Sequence, residues 1–316
     1  MQIKNSNKIL MEFKQTEKLM GNMFEITVVA DSKNCADNKI ALAISEIKRI
    51  ETLLSNFRDN SQTNLINNNA GITDIVVDKE VLELIKRSIK ISEITDGAFD
   101  LTYGSLDKSL WNFDKTMAAL PTFETATEMV KLINYKNILV NDEKCSVYLK
   151  NKGMRIGFGG IGKGYAAEMA KAILIKAGVK SGIVNAAGDL TAWGTQANGN
   201  AWTVGIADPN NVHLPFSYLS LSNMAIATSG NYEKYVIING KKYSHTINPK
   251  TGLPVTGIKS VTTISPNAEI ADAMATPITI MGIKAGIDLV NQIDQLECII
   301  IDDFNKIYSS KNINLK

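Results

Sequence analysis

The chain has 316 residues, enough for one large domain or two small ones. Apolar residues make up 45% and charged residues 21%, a balance that excludes disorder over most of the length. Lys and Arg number 34 against 32 Asp and Glu, so the net charge of +2 gives no reason to expect a nucleic-acid partner. No apolar run approaches the roughly 18 residues that a membrane-spanning helix needs.

Residues 1–18 read as a polar lead-in. Lys8, Glu12, Lys14, Glu17 and Lys18 interrupt every apolar run there. No export signal is visible, and the expected location is the cytoplasm. Phe24 to Ala30 is rich in β-branched residues and predicts a strand. Ile40, Ile44, Ile47, Leu54 and Phe57 recur at helical spacing, predicting a helix over about 36–56. Val81, Leu82, Ile85, Ile89 and Ile91 predict a second, stopped near Asp96-Gly97.

Residues 101–122 lack periodicity and read as a loop-rich excursion, with a short helix at 124–133. Strands at 137–141 and 146–150 precede a glycine-rich loop that runs into a helix ended by Gly178. Strands follow at 182–188, 202–208 and within 217–230. A hairpin turns at Asn239-Gly240. After a strand at 261–266 come helices near 270–276 and 284–293, then two closing strands. Strands and helices do not alternate as βα units, so the expected class is α+β. No linker divides the chain, and 19–316 reads as a single domain.

Cys35, Cys145 and Cys298 share no short spacing, which supports neither a disulfide framework nor a zinc site. Histidine occurs only at 213 and 245.

Several segments offer chemistry. Gly157 to Tyr165 (GFGGIGKGY) removes Cβ atoms at the start of a helix, where free N–H groups favour a phosphate; Lys163 adds a positive charge. It is not a Walker A loop, because Gly164 follows the lysine. A tight turn packing a helix on a sheet explains the glycines equally well. Asp272 and Thr276 stand four apart, on one face of a helix, and their oxygens suit a hard cation. The plain alternative is a surface aspartate and a helix end, since Pro277 would kink the helix there. His245 lies in YSHTINPKTGLP, on or beside a hairpin strand. Imidazole is the side chain that titrates near neutrality, although a lone histidine is more often structural. Asp100, in TDGAFD, either meets a heterocycle or ribose or caps the next turn. ATSGNY (227–232) is a strand entering a turn.

Singly these motifs are weak, but their order is specific. MGNMFEI, LSNFR, TDGAFDLTYG, GFGGIGKGYAAE, VNAAGDL, ATSGNY, YSHTINPKTGLP and IADAMATPITIMG together resemble the ApbE-like FAD:protein FMN transferase family, over about residues 19–300. The resemblance implies an α+β fold with a T-fold-like core of mainly antiparallel strands and packed helices. It implies a Mg²⁺-dependent enzyme that takes FAD as substrate. A threonine of an acceptor protein, within a short Asp- and Thr-containing motif, attacks the FMN-side phosphorus, and AMP leaves. Carried over, Asp272, Thr276 and the Gly160 carbonyl would hold the metal, and Lys163 would meet the pyrophosphate. Met20, Phe57, Ala98, Phe99, Asp100, Gly157 and Ile247 would contact FAD, and His245 would be the base.

The sequence departs from the family pattern in places. Gly157, Glu168, Ala187 and Asn248 stand where Asp, Asp, Gly and Asp are usual, and Phe57 replaces a frequent Tyr. Gly157 and Asn248 keep open a non-catalytic FAD-binding protein, and an FAD pyrophosphatase giving FMN and AMP, with water replacing the acceptor, is the other alternative.

Overall fold

The computed structural model describes residues 9–106, 117, 119–208, 211–231, 235–238 and 240–313, without the side chains of 206–208, 211–217 and 241. Trp111, Phe113 and Tyr232 lie outside the described residues, as does the start of the lead-in.

The chain opens with a hairpin, β1 (Met11–Leu19) and β2 (Asn22–Ala30). Residues 11–18, read from sequence as lead-in, are therefore strand. Most of β1 is exposed, so it carries no apolar alternation, and pairing with β2 holds it. Its turn is Met20-Gly21, both at positive φ (50° and 75°), as a type I′ hairpin requires. Helix α1 (Lys33–Leu54) follows, capped by Ser32 and burying Ile40, Ile44, Ile47 and Ile50. Next come α2 (Gln62–Asn68), β3 (Ile75–Val76) and α3 (Lys79–Ile94). A 3₁₀ turn (Leu101–Ser105) leads toward α4 (Phe123–Val130). β4 (Ile138–Asn141) and β5 (Ser146–Leu149) join β3 in a small sheet of order β3-β5-β4.

Helix α5 (Gly162–Lys176) leads to β6 (Gly182–Ala186), β7 (Asp189–Trp193) and a two-stranded ribbon, β8 (Trp202–Asp208) and β9 (Asn211–Leu221). His213 lies within β9. Then come β10 (Met224–Gly230) and the hairpin β11 (Tyr235–Ile238) and β12 (Lys241–Ser244). The chain ends with β13 (Ile258–Ser265), α6 (Ala268–Met281), α7 (Ile283–Val290), β14 (Glu297–Asp302) and β15 (Ile307–Ser309). Helix α6 does not stop at Thr276. It continues through Pro277 to Gly282, whose φ of 85° ends it.

Eight strands form the main sheet, in the order β1-β2-β6-β7-β10-β13-β14-β15, and every pairing is antiparallel. This is the α+β class that the sequence predicts, with no closed barrel. α1, α5 and α6 pack side by side on the sheet, α5 between the other two. Their shared core joins Phe24, Ile26 and Val28 to Ile40, Ile47, Ala166, Ala170, Met274 and Ile278, all buried. α6 is apolar on nearly every side, which marks a helix enclosed in the protein. Among the described residues no helix is long and apolar enough to cross a membrane. Cys35, Cys145 and Cys298 are unbonded to one another, and burial pushes the Cys298 thiol up to about 12.

Candidate active site

A cleft of about 390 Å³ opens where the glycine-rich loop before α5, the 98–106 segment, the loop after β12 and α6 converge. Its size falls within the range of small-molecule sites.

One wall comes from the two glycine segments, which lie against each other. Gly157 N–H donates to the Leu101 carbonyl at 2.9 Å. A Cβ on Gly104 would lie 2.9 Å from the Arg155 and Ile156 carbonyl oxygens, so only glycine permits this approach. A Cβ on Gly157 would lie 2.8 Å from Nδ2 of Asn56, which lines the same wall. The Asn56 amide thus occupies the space that a side chain at 157 would enter.

Ala98, Phe99 and Asp100 also line the cleft. Asp100 does what the capping alternative describes. Its Oδ1 accepts from Thr102 N–H at 2.8 Å and Thr102 Oγ1–H at 2.6 Å, and its Oδ2 from Tyr135 N–H at 2.9 Å. Burial raises its pKa above the ordinary carboxylate value, and these bonds oppose the rise. Tyr103 stands nearby, its phenol pushed up to about 12 by burial against a hydrogen bond with the Ile247 backbone.

The opposite wall is the loop after β12. His245 is exposed into the cleft, beside buried Thr246 and Ile247. Thr246 fixes the loop by donating to Asn231 Oδ1 at 3.0 Å, while Asn231 Nδ2–H donates to the Ile258 carbonyl at 2.8 Å. Asn248 closes the following turn, its Oδ1 accepting from Lys250 N–H at 2.9 Å. An aspartate would offer that turn the same kind of oxygen acceptor. Gly252, at φ 69°, presses on α4 so closely that a Cβ would lie 2.0 Å from the Ala126 carbonyl oxygen.

The floor holds Gly159, Gly160, Ser229, Thr276 and Ile280. Asp272 lies one turn behind Thr276 on α6, buried, and its Oδ2 accepts from Gly164 N–H at 2.8 Å. Lys163 is ion-paired with Asp189 rather than lining the cleft. Met20 is carried by the hairpin turn to the start of α5, where its Cε would lie 3.7 Å from a Cβ on Gly162. Phe57 is 97% exposed beside Asn56 and does not line the cleft.

The cleft thus gathers Ala98, Phe99, Asp100, Gly157, Gly160, His245, Ile247 and Thr276, while Asp272 and Lys163 do not line it and are engaged with Gly164 and Asp189. Asn56, Tyr103, Gly104, Ser229, Thr246 and Ile280 were not singled out by sequence. All six nevertheless sit inside motifs that were: LSNFR, TDGAFDLTYG, ATSGNY, YSHTINPKTGLP and IADAMATPITIMG.

The ApbE family profile matches residues 20–300. The chain belongs to the ApbE family. One bacterial relative, named FAD:protein FMN transferase, from Klebsiella pneumoniae (strain 342), is 29% identical over 81% of this chain and 79% of its own. A relative of the same name from Treponema pallidum (strain Nichols) is 27% identical over 96% of this chain and 88% of its own. The crystal structure of the ApbE protein from Thermotoga maritima superposes with a TM-score of 0.85 at 31% identity, covering 95% of this chain and 97% of that one. The apo flavinyl transferase ApbE of Pseudomonas stutzeri shares the fold, with a TM-score of 0.83 at 24% identity over 96% and 95%. Ala187 holds a positive φ of 54°, a conformation that glycine adopts without a Cβ penalty.

Proposed function

We propose that this chain is a divalent-cation-dependent FAD:protein FMN transferase. One observation carries the reading: Gly160, His245 and Thr276, distant in sequence, line one cleft. The names of the bacterial relatives support it.

Asp272, Thr276 and the Gly160 carbonyl would hold the cation. Their donors are hard oxygens, which suit Mg²⁺. Asp272 fits the role because Oδ2 is oriented by Gly164 N–H, while Oδ1 takes no hydrogen bond from the described residues. Among the described residues no group of three His, Cys, Asp or Glu side chains converges, so a softer metal has no competing ligand cluster there. Bound there, the ion would supply neutralisation of the charge that spreads over the pyrophosphate.

The protein's own residues do the rest. The glycine loop lets the pyrophosphate approach backbone N–H groups, and Lys163 adds charge at the same helix end. Met20, Phe57, Ala98, Phe99, Asp100, Gly157 and Ile247 are the proposed FAD contacts, with Met20 and Phe57 at the margins of the cleft. His245 takes the proton from the threonine hydroxyl of an acceptor protein. The threonine oxygen then bonds to the FMN-side phosphorus, and the bond from that phosphorus to the bridging oxygen breaks. AMP leaves with that oxygen, and FMN stays on the acceptor as a phosphoester. The acceptor's recognition segment is a short one containing Asp and Thr.

The test is incubation with FAD, Mg²⁺ and a candidate acceptor. Flavin fluorescence on the denatured acceptor supports transfer. Free FMN and AMP without labelled acceptor would mean a pyrophosphatase, and unchanged FAD a binding protein.

A further inference from the structure

A carboxylate of α6 caps α5, and a carboxylate of α5 reaches the first N–H of α6, whose own N-cap is Asn267. α5 begins without a cap of its own, because Ile161 at its N-cap offers no side-chain acceptor. The acceptor comes from α6: Asp272 Oδ2 takes Gly164 N–H at 2.8 Å. In return, Glu168 of α5 serves the first turn of α6. Its Oε2 accepts from Ala268 N–H at 2.9 Å, and its Oε1 pairs with Lys171 at 2.6 Å. Both bonds place a carboxylate at the positive end of a helix, where charge-assisted bonds are strongest. They flank Gly164, where a Cβ would lie 2.2 Å from the Ala268 carbonyl oxygen and 2.6 Å from Asp272 Cβ. The two helices therefore touch at backbone distance.

We propose that Glu168 is a positioning residue for the cation site. Ala268 lies one turn before Asp272, and Thr276 one turn after it, on the same helix. Holding Ala268 N–H fixes the depth and rotation of α6 against α5. That rotation sets where Asp272 Oδ1 and the Thr276 hydroxyl stand relative to the Gly160 carbonyl. Glu168 is not itself a ligand, because both its oxygens are engaged. The inference rests on the cation reading of Asp272 and Thr276, and extends it to a residue without contact to the ion.

The experiment titrates Mn²⁺ into protein saturated with FAD and follows free Mn²⁺ by electron paramagnetic resonance. Wild type is compared with Glu168→Ala and Glu168→Gln. Both variants lose the same charge, but only glutamine keeps an oxygen for Ala268 N–H. The dissociation constant is expected to rise roughly 10-fold or more in Glu168→Ala, the scale of lost outer-shell support. In Glu168→Gln it should stay within about 3-fold of wild type. If the alanine variant does not fold, Glu168→Met replaces it, filling the space without an oxygen acceptor and carrying the same expectation. Unchanged Mn²⁺ affinity in a folded variant without the acceptor overturns the proposal. Equal weakening in the glutamine and acceptor-free variants assigns the effect to charge and overturns it too. Wild-type protein that takes up no Mn²⁺ overturns the cation reading itself, and this inference with it.

Discussion

Lys163 and Asp189 form an ion pair that joins the first turn of α5 to the start of β7. The Asp189 side chain is 5% exposed, and its Oδ1 accepts from Thr228 N–H at 3.2 Å. No oriented hydrogen bond among the described residues reaches its buried Oδ2, so the Lys163 charge is what compensates that oxygen. The lysine proposed for the pyrophosphate thus rests on a buried carboxylate in this structure.

That pairing separates two roles of Lys163. Lys163→Ala should weaken FAD binding, and wild-type affinity should fall with added salt as charge pairing is screened. It should also destabilise the fold by roughly 1–3 kcal/mol, because a buried carboxylate loses its partner. Adding Asp189→Asn should recover much of the stability and none of the FAD affinity. Calorimetry and urea titration on both variants check this. Unchanged FAD affinity in Lys163→Ala would remove the lysine from the ligand site.

Asp272 also has two roles, as cap of α5 and as proposed cation ligand. Asp272→Asn keeps an oxygen for Gly164 N–H and loses the charge. It should fold, bind FAD and lack Mg²⁺-dependent transfer. Asp272→Ala should lose transfer and, in addition, about 1 kcal/mol of stability with the cap. Full activity of either variant at low Mg²⁺ would exclude Asp272 from the cation site.

These double roles show where sequence reading stops. α1 and α3 were legible because their buried positions repeat at helical spacing. β1 was not, because its mostly exposed side chains leave no apolar alternation. α2 was missed because much of what it buries is polar: Thr63, Asn64 and Asn67. The glycine loop stood out by composition and the 98–100 segment through the TDGAFD motif and the family resemblance, and both line the cleft. The pairings Glu168 with Ala268 and Asp100 with Tyr135 could not be read, because each joins segments far apart in sequence. Asn248 is a turn residue, as the Asn-Pro-Lys-Thr-Gly run implies, and its side-chain oxygen accepts from Lys250 N–H.

A charged cluster on the same helices makes stability pH-dependent. Glu80 of α3 accepts from Arg49 of α1 at 2.6 and 2.9 Å and is bonded by Tyr165 of α5. The Arg49 hydrogen bonds hold its carboxyl below the ordinary 4.5, burial opposes them, and the Tyr165 hydroxyl adds to the lowering. The unfolded chain therefore takes up this proton first as pH falls. The stabilisation is complete above 4.5 and is lost as pH drops through the lower folded-state value. Glu80→Gln should melt below wild type at neutral pH, and the gap should narrow under acid. Thermal melts from about pH 3 to 7 measure it. A gap constant across that range would show that Glu80 contributes by packing alone.

The last prediction concerns His245. It faces the cleft that holds Gly160 and Thr276, on a loop that the Thr246 and Asn231 hydrogen bonds anchor. A threonine hydroxyl is a poor nucleophile, and a positioned base contributes about 10²–10⁴-fold. His245→Asn should fold and bind FAD, while its single-turnover transfer rate at saturating FAD falls by roughly that factor. His213→Asn, on the β8–β9 ribbon, should change the rate little. If His245 instead only holds flavin, the substitution should raise the FAD dissociation constant, and saturating FAD should restore the rate. A near-normal single-turnover rate under saturation would mean that another group takes the proton.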